Sequence, residues 1–376
     1  MPNSFLDVKE IARQALPRLI ENLVFPNLIH KDYSSDFVVG KGATVQVRKP
    51  VVLTASDFDS SLGTSAQDVK ETSVEVTLDK LATVDVEFGA VARATSVDDL
   101  NRLFIEPAAV ALAEKINGDG LALYKDIPYF IGTSGTTPSG LAAFADAAKV
   151  LDKNKVPEAL RRGVWNPDSM AAFRKSGDLV NVEKSGTTEA LRRGSIGVIF
   201  GIENYMAQGV KTVASGSITP GGTGATGLKI KTAVTADDDI ILVSNATASA
   251  TLTGTVKAGD ILTIDGKNYI AQADAAAASN EIAVALDRNI TVSANAAVTV
   301  ANGGTQNLVF HENAFAFVTR PLIAPAGVES YVTSYNGISL RVVRGYNMQY
   351  KKEMLSMDVL YGYKTMYPEL ACRVLG

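Results

Sequence analysis

Residues 96–125, SVDDLNRLFIEPAAVALAEKINGDGLALYK, read as one long helix. Ser96 is a suitable N-cap, and Asp99 three residues later approximates a capping box. Leu100, Leu103, Phe104, Ala108, Ala111, Leu112 and Ile116 recur at helical spacing. Asp98 and Asp99 place negative charge at the positive end of the helix dipole. Pro107 predicts a kink, and Gly118 and Gly120 predict a fading end. A helix of this length cannot bury its apolar stripe alone, so the remaining chain is expected to pack along it.

The chain has 376 residues, 46% hydrophobic and 20% charged, enough for two or three domains. Its net charge of -4 argues against a basic surface that grips nucleic acid. Cys372 is the single cysteine, which fits a reducing compartment. Asp7, Lys9, Glu10 and Arg13 break up any N-terminal signal sequence. The uncharged stretches 127–145 and 240–256 are too rich in Gly, Pro, Ser and Thr to span a bilayer. The expectation is a soluble cytoplasmic chain.

Outward from the helix, residues 1–43 read as an N-terminal arm. Residues 4–24 form an amphipathic helix with Phe5, Val8, Ile11, Ala12, Ala15, Leu19 and Leu23 on one stripe, divided by Pro17. Residues 44–91 read as a long hairpin: Val45, Val47, Val51 and Leu53 alternate with polar residues, as do Val74, Val76 and Leu78, then Val84, Val86 and Phe88. Its polar middle, TASDFDSSLGTSAQD, offers few core anchors, and so long a two-stranded excursion should be pinned by something outside itself.

After the helix, IPYFIGTSGTTPSG reads as an irregular loop. A helix follows over 141–151, a buried strand at GVWN (163–166), and a helix opened by Pro167. This alternation predicts an α/β layer domain over 141–214. Residues 215–304 differ in composition, with Tyr269 as the only aromatic and short β-type runs separated by turn signals such as Asp265-Gly266. They predict a small all-β domain inserted in a surface loop, reached through the linker SGSITPGGTGATG. The patterning turns regular again after 305.

Chemical motifs are sparse. Gly222 to Gly227 match G-x-G-x-x-G, but a β-type run follows where phosphate binding needs a helix. Asp237, Asp238 and Asp239 are adjacent and so project in different directions, which suits a solvated loop better than a cation site. His30 and His311 are far apart, and Cys372 reads as a small packed hydrophobe. No catalytic, cofactor-binding or metal-ligating set emerges.

The order of segments resembles the major capsid proteins of tailed double-stranded-DNA phages, the Hong Kong 97 fold. Three stretches carry the resemblance: ALRRGSIGVIFGIENYMAQGV (190–210), like the strand-turn-strand of the capsid A-domain; ENAFAFVTRPL (312–322), like a strand closing that domain; and VVRGYNMQYKKEMLSMDVLYGYKTMYPELACRVL (342–375), like the closing strands of the P-domain. The all-β insertion resembles that of coat proteins of the phage P-twenty-two type. The resemblance implies an α+β capsid fold in these parts: N-arm 1–43, extended loop 44–91, spine helix and part of the P-domain 92–140, A-domain 141–214, insertion 215–304, A-domain return 305–330 and P-domain closing strands 331–376.

It also implies a function: a non-enzymatic coat protein whose pentamers and hexamers close into an icosahedral virion shell around double-stranded DNA. The hairpin would lie over a neighbouring subunit, with Arg48, Lys49, Asp57, Phe58 and Asp59 as interface residues. The mild negative charge suits a shell that must not adhere to packaged DNA. An internal scaffolding protein and a portal are implied partners, with assembly in the host cytoplasm and no membrane. A cellular nanocompartment shell shares the fold and is the nearest rival; a β-rich surface-binding module is the other. Deleting the tip, residues 56–67, should leave a soluble subunit that assembles poorly in sedimentation and electron microscopy; normal shells would remove the hairpin's assigned role.

Overall fold

The structure, a computed structural model, describes residues 8–31, 44–49, 72–89, 105–177, 196–214, 216–220, 227–246, 251–301, 303–325, 327–349 and 352–376. The chain divides into two compact units: residues 1–20, 31–112 and 316–366, and residues 21–30, 113–315 and 367–376. The boundary falls inside the helix Glu106–Leu121.

In the first unit, the helix Val8–Asn22 buries Val8, Ile11, Ala12, Ala15, Leu16 and Leu19. Pro17 lies inside it and does not divide it, because the buried stripe continues from Leu16 to Leu19 on either side. Arg18 pairs with Glu106 at 3.1 Å. The strands Thr44–Lys49 and Thr72–Thr77 form an antiparallel hairpin, with Val45 opposite Val76 and Val47 opposite Val74.

The third run of the expected hairpin, Lys80–Gly89, does not belong to it. It pairs instead with Lys352–Thr365, where Ala82, Val84 and Val86 stand opposite Val359, Met357 and Leu355. Three apolar cross-strand pairs explain the choice. Gly362 lets the chain cross there: a Cβ on it would lie 1.9 Å from the Thr77 carbonyl oxygen. The resulting five-stranded sheet orders Phe315–Arg320, Lys352–Thr365, Ile338–Asn347 and Glu329–Tyr335, with Lys80–Gly89 on Lys352–Thr365. The strand within 312–322, expected to close the α/β domain, is therefore in this sheet. Its Phe317 stacks on Tyr363 at 4.8 Å.

In the second unit, a seven-stranded sheet orders Phe130–Gly132, Ala371–Leu375, Gly304–His311, Arg161–Trp165, Ile202–Met206 and Val198–Ile199, with Thr212–Val213 also on Gly304–His311. The region read as an irregular loop after the long helix thus contains a strand, Phe130–Gly132, parallel to Ala371–Leu375. Ala371–Leu375, read among the P-domain closing strands, lies in this sheet because all five of its residues are buried, as suits an interior strand. Helices Gly140–Lys153 and Pro167–Lys175 match the sequence expectation, and the Asn166 side chain accepts from the Ser169 amide as N-cap. Phe144, Trp165 and Phe173 interlock with ring centroids 4.5, 4.9 and 5.2 Å apart. Asn307 crosses this core, accepting from the Asn166 amide at 2.8 Å and donating to Ser169 Oγ and the Val374 carbonyl.

A six-stranded sheet in the same unit orders Lys267–Ile270, Ile261–Ile264, Ala297–Ala301, Leu228–Ile230, Val234–Asn245 and Glu281–Val292. It has its own core, including Ile230, Ile241, Val243, Leu262, Val284 and Tyr269. Thr212 and Val213 pair with Thr305 and Gly304, so the chain leaves for this sheet and returns from it at one point.

Of the long-helix reading, Ser96 to Phe104 lie outside the described residues. Pro107 stands in the first turn of Glu106–Leu121, where its missing amide costs no bond. Gly118 and Gly120 remain helical, and a 3-10 turn, Ala122–Asp126, follows. Asn117 on this helix accepts from the Val24 and Phe25 amides and donates to the Asn22 carbonyl, tying in Phe25, whose ring meets Phe310 at 5.5 Å.

Phe144→Ala should cost about 3–5 kcal/mol through the cavity it leaves. Trp165, the only tryptophan, touches Phe144 and reports the loss as an earlier urea transition in its fluorescence.

Candidate shell-forming surfaces

The hairpin has two chemically different faces. Val45 and Val47 are half-buried beside half-buried Val74 and buried Val76, while Gln46, Arg48, Ser73 and Glu75 are exposed. Alternation alone produces this, since successive side chains point to opposite faces. Among the described residues, Thr44–Lys49 pairs with one strand, Thr72–Thr77. A two-stranded sheet with a half-covered apolar face is marginal by itself. Arg48 and Lys49 sit at its far end, opposite Ser73 and Thr72, on opposite faces. Asp57, Phe58 and Asp59 lie outside the described residues.

Further apolar surface stands where sequence reasoning named no residue. Leu160 and Phe200 are each 53% exposed and adopt φ of 61° and 48°. The left-handed region is unfavourable for such side chains, so both are held there by their surroundings. Arg161, 2% exposed, supplies part of that hold by donating to the Val156 and Pro157 carbonyls and pairing with Asp152 at 2.8 Å. Val198 is 64% exposed on the strand preceding Phe200. In the first unit, Ile323, Tyr335, Tyr346 and Met348 are exposed. Where such side chains gather into one contiguous patch, they mark an interaction surface. The only signal available in the sequence was an apolar residue at a turn, as in IFGI, and that pattern does not separate a buried turn from an exposed one.

The residues with chemical potential are dispersed. Asp238 and Asp239 are exposed on a strand, and Asp238 accepts from the Ile240 amide. Gly227 leads into a strand, Leu228–Ile230, so no helix N-terminus meets the end of the glycine-rich run; residues 221–226 lie outside the described residues. The backbone amide of His30 donates to the Phe315 carbonyl at 3.3 Å. Cys372 is buried, and burial pushes its thiol up to about 12, away from any nucleophilic role. His311 is buried at a strand end, where its Nδ1 accepts from the Asn313 amide at 3.2 Å. Burial lowers its pKa, with Glu312 opposing and Arg161 and Arg162 assisting.

No protein-family profile matches the sequence, and no curated protein is significantly similar to it. Solved structures do match. A structure from Mycobacterium phage Che8 superposes with a TM-score of 0.57 at 18% identity, covering 94% of this chain and 90% of its own. The capsid structure of cyanophage P-SCSP1u superposes with a TM-score of 0.53 at 14% identity, covering 94% and 88%. The chain has the fold of a tailed-phage capsid protein. The α+β class expected from the sequence is that of the structure.

The pKa of His311 sets a pH dependence. The unfolded chain binds its proton near 6.5 and the folded chain only at lower pH, so stability falls as pH drops below that value. Protonation also removes the acceptor for the Asn313 amide, worth about 1 kcal/mol. Urea midpoints measured down to about pH 5 should fall more steeply for the native chain than for His311→Gln.

Proposed function

We propose that the chain is a major capsid protein of a tailed phage, whose pentamers and hexamers close into an icosahedral shell around double-stranded DNA. The observation that carries this reading is the superposition on phage structures over 94% of the chain, despite low identity. The subunit is read as a building element without catalysis, located in the virion. Among the described residues, no group of His, Cys, Asp and Glu has metal-holding geometry, and no helix is long and apolar enough to cross a membrane.

In this reading the hairpin reaches over a neighbouring copy, which covers the half-buried Val45, Val47 and Val74. Arg48 and Lys49 contact that neighbour, as do the tip residues Asp57, Phe58 and Asp59. The exposed Leu160, Val198 and Phe200 meet other subunits within a capsomer. Residues 215–304 serve as an inserted all-β domain at the shell surface, supported by the paired exit and return of the chain at Val213 and Gly304. A net charge of -4 suits a container for DNA that does not hold it by sequence. A scaffolding protein and a portal complete the assembly.

Expression with and without neighbouring phage genes, followed by sedimentation and negative-stain electron microscopy, tests the reading. Closed shells, tubes or sheets of capsomers are expected. A uniform small species under every condition would overturn it, and small closed shells without DNA, even with the phage genes present, would favour a nanocompartment. Val45→Asp with Val47→Asp should keep the monomer folded, by circular dichroism, and abolish those assemblies.

A further inference from the structure

Arg373 carries a positive charge in a place where fold stability alone gives no reason for one. It is 2% exposed, on the interior strand Ala371–Leu375. Its Nε donates to the Ile127 carbonyl at 2.6 Å and its Nη1 to the Gly259 carbonyl at 2.8 Å. The Tyr124 ring lies 5.5 Å from the guanidinium carbon, and Nη2 has no hydrogen-bond partner. Burial pulls its pKa down to about 10, opposed by Tyr124, Asp126 and Asp260, so the group stays charged at neutral pH. Burying such a cation carries a large desolvation cost, and an apolar side chain of similar volume often stabilises a core as well or better.

What the guanidinium does is join two places that are distant in the chain. Ile127 follows the 3-10 turn Ala122–Asp126, beside the seven-stranded sheet. Gly259 belongs to the turn at 257–260, which is locked within the six-stranded segment. There the Gly259 amide donates to the Ala271 carbonyl, and Asp260 Oδ2 accepts from the Lys257 and Gly216 amides. Gly259 has φ of 95°, and a Cβ on it would meet Lys125 Cγ at 2.9 Å, so glycine is what lets the turn reach the arginine. Where the chain leaves for this segment and returns from it, the described pairing is the short ladder of Thr212–Val213 on Gly304–Thr305. Two adjacent strands leaving at one point form a hinge, and a hinge needs a stop.

We infer that Arg373 is that stop: a positioning residue that fixes the six-stranded segment against the seven-stranded sheet in one orientation. The planar fork spans two carbonyls that a lysine ammonium would not hold together in a fixed geometry. The inference stands on these contacts whether or not the chain builds a shell.

The test is a distance distribution between spin labels at Lys149→Cys and Ile240→Cys, both exposed positions, in the unassembled full-length chain. The buried Cys372 thiol stays unlabelled. With Arg373 present the distribution should be single and narrow. Arg373→Met should broaden it at least twofold while Trp165 emission stays native, and Arg373→Lys should broaden it to a lesser degree. Gly259→Ala, which displaces the turn without touching the arginine, should broaden it too. A narrow distribution in Arg373→Met would overturn the inference. So would a Trp165 emission lost together with the narrow distance in all three variants, since Arg373 would then merely support the core.

Discussion

The seven-stranded and five-stranded sheets are both closed by strands from the C-terminal part of the chain. Gly304–His311 lies in the middle of the seven-stranded sheet, and Phe315–Arg320 enters the five-stranded one, with only the turn Glu312–Ala314 between them. Lys352–Thr365 and Ala371–Leu375 repeat the division, again across one short turn, Pro368–Leu370. Neither sheet is complete until the strands after residue 351 are present. Such long-range pairing carries a large loop-closure cost before any contact repays it, so the fold depends on strands whose apolar faces match closely. Val359, Met357 and Leu355 opposite Ala82, Val84 and Val86 are such a match.

Buried polar side chains then select one arrangement among those that burial alone allows. Asn307 accepts from the amide that opens a helix and donates to the last strand, so strand, helix start and C-terminus share one residue. Asn117 does the same between the long helix and the segment 22–25. Each such group is costly if left unsatisfied, which gives direction to a core that would otherwise tolerate slippage. Arg161 and Arg373 act in the same way with charge added, each donating to two backbone carbonyls.

The surface is the complement of this core. Among the described residues, the subunit leaves a two-stranded hairpin with a half-covered apolar face and several bulky apolar side chains in contact with solvent. In the shell proposed for this chain, these are the places where neighbouring copies would supply further contacts.

The sequence by itself determined the local elements and the class of fold. Helical spacing located the helices near 8–22, 106–121, 140–153 and 167–175, and alternation located Thr44–Lys49, Thr72–Thr77 and Lys80–Gly89. These are read from neighbours within a few residues, where period and capping act. Partner choice between strands was decided only in the tertiary structure. Lys80–Gly89 left its hairpin, Phe315–Arg320 and Ala371–Leu375 exchanged expected sheets, and Phe130–Gly132 became a strand by lying beside the C-terminus. Pairing of this kind depends on which faces meet across hundreds of residues. The same holds for Leu160, Phe200 and Arg373, whose exposure or burial belongs to the assembled sheets and leaves no mark on the residues that flank them in sequence.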